Sequence, residues 1–152
     1  TFWFTLPYRP VELKSVKEQK EHRIQKVENK LTILIAEDNR SNFQLFESIL
    51  KNEYNILHAW DGEEAVELFK KYNPHLILMD INMPKKSGYE ATQMIREISP
   101  TVPIMAVTAY VYAEDEQRIL NSGFDAYTSK PINAQKLQRD IIDLLKRQLI
   151  FM

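Results

Sequence analysis

The chain has 152 residues, no cysteine and a formal net charge of -1. That length is enough for one domain with its own core and a short extension, and the near-neutral balance argues against nucleic acid or a charged membrane surface as a partner. Without cysteine there is no disulfide or thiolate chemistry, so any metal must be held by oxygen or histidine. No apolar run approaches the roughly 20 residues that span a bilayer, and the start lacks the basic-then-apolar pattern of a signal peptide. A cytoplasmic segment is expected, in a parent that could be anchored in the inner membrane elsewhere.

Residues 1–7 read Thr-Phe-Trp-Phe-Thr-Leu-Pro: aromatic, rich in strand formers and stopped by Pro7. No partner strand follows, so this stretch is read as the end of something upstream. Residues 8–30 are dominated by Glu, Lys, Gln, Arg and Asn, a composition that favours a charged linker, helical in part, over a packed core. Lys20 interrupts any heptad running from Leu13 and Val16 to Ile24, Val27 and Leu31, which argues against a coiled coil.

The texture changes at Leu31, and a domain is expected over 31–150. Leu31–Ala36 is an apolar strand ending in Glu37-Asp38-Asn39, where Asp38 or Asn39 can cap the next helix. That helix carries Phe43, Phe46, Ile49 and Leu50 on one face. Tyr54–Ala59 is a second strand, Asp61-Gly62 a turn, and the helix after it carries Ala65, Val66 and Phe69. His75–Asp80 holds four apolar residues ending in a carboxylate, the pattern of a strand buried on both faces. Pro84 forces a loop before a helix from Gly88 to Ile98 carrying Met94, Ile95 and Ile98. Pro103–Val107 is the fourth strand, followed by Thr108-Ala109. A helix over Tyr112–Asn121 stops at Ser122-Gly123, a short strand runs over Phe124–Thr128 into Ser129-Lys130-Pro131, and the last helix repeats Leu137, Ile141, Leu144 and Leu145.

Five strands alternating with five helices predict an α/β fold, a doubly wound parallel sheet with helices on both faces. In such a sheet ligands bind outside the carboxyl ends of the strands. With the first strand central, the ends of the first, third, fourth and fifth strands bring Glu37, Asp38, Asp80, Thr108 and Lys130 to one crevice. Three carboxylates there repel one another unless a hard divalent cation neutralises them. Magnesium suits oxygen ligands: the carboxylates of Asp38 and Asp80 and a backbone carbonyl at Asn82. A carboxylate beside a metal, a lysine and a hydroxyl suits phosphoryl chemistry, with Asp80 as nucleophile. Each residue alone has an ordinary explanation as a helix cap, strand end or surface charge; their joint placement carries the argument.

These motifs resemble the receiver domain of bacterial two-component response regulators. The matching stretches are Ile35-Ala36-Glu37-Asp38-Asn39, Met79-Asp80-Ile81-Asn82-Met83-Pro84 with Gly88, Val107-Thr108-Ala109, and Tyr127-Thr128-Ser129-Lys130-Pro131-Ile132. The resemblance implies a flavodoxin-like sheet of strand order 2-1-3-4-5. It also implies that Asp80 accepts a phosphoryl group from phosphohistidine on a histidine-kinase dimerisation/phosphotransfer domain; a histidine-phosphotransfer protein is a candidate downstream recipient. Asp38 would bind Mg2+ directly and Glu37 mostly through water. Lys130, Thr108 and Ala109 would bind the phosphoryl group, with Thr108 and Tyr127 as switch residues and a cis peptide at Pro131. The fourth helix, fifth strand and fifth helix would form the switched face. Asn82 and Tyr110, two residues past Asp80 and Thr108, would tune the lifetime of the acyl phosphate.

Thr1–Pro7 is similar to the closing strand of histidine-kinase ATP-binding domains, which suggests the C-terminal receiver of a hybrid histidine kinase; without a glycine-rich ATP lid the fragment is not expected to bind ATP. Two other functions compete. A pseudo-receiver that binds partners without phosphorylation has little reason to keep all five polar site residues. An aspartyl-phosphate phosphatase needs an acid/base carboxylate two residues past its nucleophile, where this chain has Asn82.

Overall fold

The computed structural model of the chain describes residues 30–109 and 113–150. The strand remnant expected over 1–7, the linker expected over 8–30 (Lys30 apart), Tyr110 and Tyr112 lie outside the described residues. A compact unit begins at Leu31.

The strands are β1 (Thr32–Ala36), β2 (Asn55–Ala59), β3 (Leu76–Asp80), β4 (Ile104–Thr108) and β5 (Ala126–Ser129). The helices are α1 (Arg40–Leu50), α2 (Gly62–Tyr72), α3 (Gly88–Ile98), α4 (Ala113–Asn121) and α5 (Ala134–Ile150). The sheet has the order β2-β1-β3-β4-β5, and every pairing is parallel. This is the predicted doubly wound order, with β1 beside both β2 and β3.

Side chains alternate along the strands and build two cores. Leu34, Ala36, Ile77, Met79, Ile104 and Ala106 pack with Ala65, Val66 and Phe69 of α2, Ala91 and Ile95 of α3, and Ile119 of α4. Ile33, Ile35, Leu76, Leu78, Met105 and Val107 pack on the other face with Phe46 and Leu50 of α1 and Leu137, Ile141 and Leu144 of α5. Every residue of β3 and β4 is buried, so the apolar runs that marked them are the centre of the protein.

Several local expectations are decided or corrected. Of the two candidate caps of α1, Asn39 is the one used; its side chain accepts from the Asn42 N–H at 3.0 Å. Asp61-Gly62 is a helix start and not a free turn: Asp61 accepts from the Glu64 N–H at 2.8 Å and Gly62 is the first residue of α2. Ile98 is 48% exposed, because the buried face of α3 is formed by Gly88, Ala91, Thr92 and Ile95 and Ile98 falls to one side of it. β5 begins at Ala126; Phe124 is buried in the first core just before it.

The glycine at the head of α3 has a steric cause. A Cβ on Gly88 would lie 2.4 Å from the Asp80 carbonyl oxygen and 2.8 Å from the Ile81 Cα. The Gly88 N–H donates to the Ile81 carbonyl at 2.8 Å, and Ser87 with Glu90 completes a capping box. The loop after Asp80 is thereby drawn tight against the strand end.

Candidate functional site

The crevice is built from the carboxyl ends of β1, β3, β4 and β5. Glu37, one residue past β1, is fully buried; Asp80, the last residue of β3, is 4% exposed; Asp38 is exposed. Ligand oxygens of these three carboxylates lie within 4.8 Å of one another. Lys130, just past β5, reaches in from the other side. Its Nζ donates to Glu37 Oε1 at 3.1 Å and to Asp80 Oδ2 at 3.3 Å. The Asn82 N–H donates to the second oxygen of Asp80, Oδ1, at 3.1 Å.

This arrangement is electrostatically unfinished. Burial, then the hydrogen bond with Asp80 and the charge of Asp80, push the Glu37 carboxyl from 4.5 up to about 7, against the opposing pull of Lys130. Burial disfavours the Lys130 ammonium, but the charges of Asp80 and Glu37 and its hydrogen bonds to both outweigh that and hold it above its ordinary value. Glu37 Oε2 is buried and has no hydrogen-bond partner among the described residues. One ammonium pairs with two of the three clustered carboxylates, Glu37 and Asp80, and a buried acceptor is left over. That is a donor set a hard divalent cation fits: all oxygen, clustered, with an exposed member at the mouth.

The other predicted residues are placed as follows. Thr108 ends β4 and is buried at 5% exposure; its carbonyl accepts the Lys130 N–H at 2.9 Å. Ala109 follows it and is exposed. Thr108 pairs in register with Ser129, so the fourth and fifth strand ends deliver hydroxyl and ammonium side by side. The Lys130–Pro131 peptide bond is cis. Tyr127 is turned away from the carboxylates: it lines a cavity of about 310 Å3 with Leu120 of α4 and Lys136, Asp140 and Leu144 of α5. Burial, together with a hydrogen bond to Glu116 and its charge, raises the Tyr127 hydroxyl above its usual value. Thr108 also borders a second cavity of about 210 Å3 with Asn82, Tyr89 and Arg118, whose guanidinium lies 4.4 Å from the Tyr89 ring centre.

Sequence reasoning did not single out His58. It sits in β2 with Nε2 at 2.9 Å from the Glu37 carbonyl oxygen, and its ring stacks on Phe43 of α1 at 3.6 Å and 3°. Phe43, expected in the helix's core face, is only partly buried and spends that face on the imidazole. A lone histidine in an edge strand gives no signal of this contact; only the β1–β2 register reveals it.

Among the described residues, no helix is long and apolar enough to cross a membrane. The response regulator receiver domain family matches residues 33–142. The chain is 37% identical over 108 residues to the polar-differentiation response regulator DivK of Brucella ovis, covering 69% of this chain and 88% of that protein. Among solved structures, a CheY-like response regulator receiver domain from Methanospirillum hungatei superposes with a TM-score of 0.77 at 28% identity, over 82% of this chain and 100% of that one. The receiver domain of a sensor histidine kinase from Pseudomonas aeruginosa, with a magnesium ion coordinated in its active-site cleft, gives a TM-score of 0.72 at 32% identity, over 77% and 98%. With its sheet order, its acidic crevice and a match over most of its length, the chain belongs to the receiver domain family of two-component response regulators.

Proposed function

We propose that this receiver domain is a phosphoacceptor, taking a phosphoryl group onto Asp80 from phosphohistidine on a histidine-kinase dimerisation/phosphotransfer domain or a histidine-phosphotransfer protein. In the transfer an Asp80 oxygen bonds to phosphorus as the phosphorus–nitrogen bond breaks, and the imidazole leaves with the electron pair. The observation that carries this reading is the buried Asp80 carboxylate at 3.3 Å from Lys130 Nζ, inside a three-carboxylate cluster. Lys130 is placed to offset charge on the incoming phosphoryl oxygens. Asp38, Asp80 and Glu37, with the Asn82 carbonyl, would hold Mg2+, which when bound neutralises the carboxylates and the phosphoryl oxygens. The N–H groups of Asn82 and Ala109 and the Thr108 hydroxyl lie at the strand ends where donors to the phosphoryl group are needed.

The new group carries a charge near -2 and draws Thr108 toward it. Tyr127 then turns inward from the cavity between α4 and α5, and the α4–β5–α5 face changes shape. The relative from Pseudomonas is part of a sensor histidine kinase; a cytoplasmic receiver of a hybrid histidine kinase is the parent context proposed here.

The test is intact-mass measurement of the chain after incubation with acetyl phosphate and Mg2+, beside Asp80→Ala. A single phosphoryl adduct is expected, absent from the variant and absent without the metal. No adduct on the wild type, with a beryllofluoride mimic leaving its spectrum unchanged, would leave the phosphorylation-independent binding module in its place.

A further inference from the structure

The acidic turn Glu37-Asp38-Asn39 has to be stiff, because Asp38 is an exposed carboxylate with a job that depends on where it points. At its far end the turn is anchored by the Asn39 cap on α1. At its near end the Glu37 N–H donates to the Ala59 carbonyl at 3.0 Å, one rung beyond the last β1–β2 pair, Ala36 with Ala59. In a parallel ladder the Glu37 carbonyl would next accept from the backbone two residues past Ala59. There the chain has already turned into α2, with Asp61 as its cap. The donor that reaches Glu37 O is the His58 side chain, at 2.9 Å. A carbonyl oxygen can only accept, so Nε2 carries the proton.

The imidazole that makes this bond is itself immobilised. It lies flat on Phe43, one turn into α1, and Trp60 packs at 4.2 Å and 43° to it. The Glu37 carbonyl and the Asp38 nitrogen share one rigid peptide plane. Fixing the oxygen therefore fixes the direction in which the chain leaves toward the Asp38 Cα.

We propose that His58 is a positioning residue for the divalent-cation site: held by Phe43 and Trp60, its Nε2–H extends the β1–β2 ladder by one side-chain rung and sets the Glu37–Asp38 peptide, and with it the aim of the Asp38 carboxylate. The inference rests on the phosphoacceptor reading for the identity of the cation. It adds a residue in β2, outside the strand ends that line the crevice, and a physical route by which the α1 surface at Phe43 influences the metal.

The experiment is calorimetric titration of the whole chain with Mg2+, for wild type, His58→Phe and His58→Gln, alongside their melting temperatures. His58→Phe keeps an aromatic ring against Phe43 and removes the donor; His58→Gln keeps an N–H at similar reach. Loss of one net hydrogen bond to the turn predicts Mg2+ binding weaker by about tenfold in His58→Phe, and recovery of most of that in His58→Gln. A general packing role would instead follow the ring, making the Gln variant the worse of the two. A variant-free measurement stands beside this: nitrogen-15 spectra of the wild-type histidines should show His58 with its proton on Nε2 and a resonance that moves as Mg2+ is added. Equal Mg2+ affinity in folded His58→Phe and wild type, or an Nδ1–H tautomer, overturns the proposal while leaving the phosphoacceptor reading intact. A wild type that binds no Mg2+ overturns both.

Discussion

Lys130 Nζ and Asp80 Oδ2, fifty residues apart in the chain, stand 3.3 Å from each other at the ends of β5 and β3. The side chain of Asp80 is 6% exposed and that of Lys130 25%, so the pair sits at the boundary between interior and solvent. The same ammonium reaches Glu37, whose side chain is 1% exposed. Lys130 is therefore the cation that lets two buried carboxylates coexist before any metal arrives.

Removing it should be costly in a metal-dependent way. Lys130→Met leaves Glu37 and Asp80 facing each other without a counter-charge. In EDTA at about pH 8 the expected loss is about 1–3 kcal/mol, below the range for a fully buried broken pair because Lys130 is partly solvated. Mg2+ should recover most of it, since the cation takes over the neutralisation. Urea unfolding with and without Mg2+ checks this; a loss that Mg2+ leaves untouched would mean that Lys130 acts by packing alone.

The raised Glu37 carboxyl makes a signed prediction with pH. Its value is 4.5 in a free side chain and about 7 in the fold. Between these values the native state holds more protons than the unfolded one, so unfolding free energy falls as pH rises through that window and levels off above it. This is the reverse of the usual carboxylate in a salt bridge. Mg2+ binds the ionised form, so its affinity should weaken as pH drops below about 7, by at most tenfold per pH unit, with proton release on binding. Glu37→Gln should flatten both slopes. Mg2+ affinity that is level between about pH 5.5 and 8 in the wild type would contradict the assignment.

What the chain disclosed in advance depended on redundancy. β3 and β4 were legible because unbroken apolar runs leave no other place for them. Glu37, Asp80, Thr108 and Lys130 were legible as strand-end residues, since topology alone brings those ends together. Asp61-Gly62 misled because the same dipeptide that makes a turn also starts a helix, and the register of the Asp61 cap decides between them. Phe43 and His58 were opaque for another reason. Their stacking joins α1 to the edge strand β2 through a pairing register that one-dimensional periodicity does not encode. The cavity that Tyr127 shares with Leu120, Lys136 and Asp140 belongs to the same class: its place in β5 was readable, its neighbours across α4 and α5 were not.

Gly88 offers a purely steric test of the loop after Asp80. A methyl group there would press on the Asp80 carbonyl and on Ile81 Cα, which are backbone atoms with nowhere to go. Gly88→Ala should therefore destabilise by about 1–3 kcal/mol despite the better helix propensity of alanine. It should also slow phosphoryl uptake from acetyl phosphate, because the strand end carrying Asp80 is what must shift. A melting temperature equal to or above that of the wild type would show that the loop yields freely.

At the amino-terminal ends of the strands, away from the crevice, Arg96 of α3 donates to the carbonyls of Gly123 (2.9 Å), Ser99 (3.2 Å) and Val102 (2.6 Å) and to Asp125 Oδ2 (2.8 Å). That same Asp125 oxygen accepts the Ile104 N–H at 2.9 Å, so one guanidinium and one carboxylate tie together the starts of β4 and β5. The Asp125 side chain is 43% exposed, so its charge is well screened and the hydrogen bonds carry the value of the pair. Arg96→Met should cost about 2–4 kcal/mol by orphaning several carbonyls at once. Asp125→Asn, which keeps an acceptor oxygen in place, should cost under about 1 kcal/mol, and Asp125→Ala clearly more. The double variant Arg96→Met with Asp125→Ala should lose less than the sum of the singles, because each already breaks the shared bond. Urea midpoints for the wild type and the four variants decide it: strict additivity would mean that Arg96 and Asp125 act independently, and an Asn variant as weak as the Ala variant would mean that charge rather than geometry holds this corner.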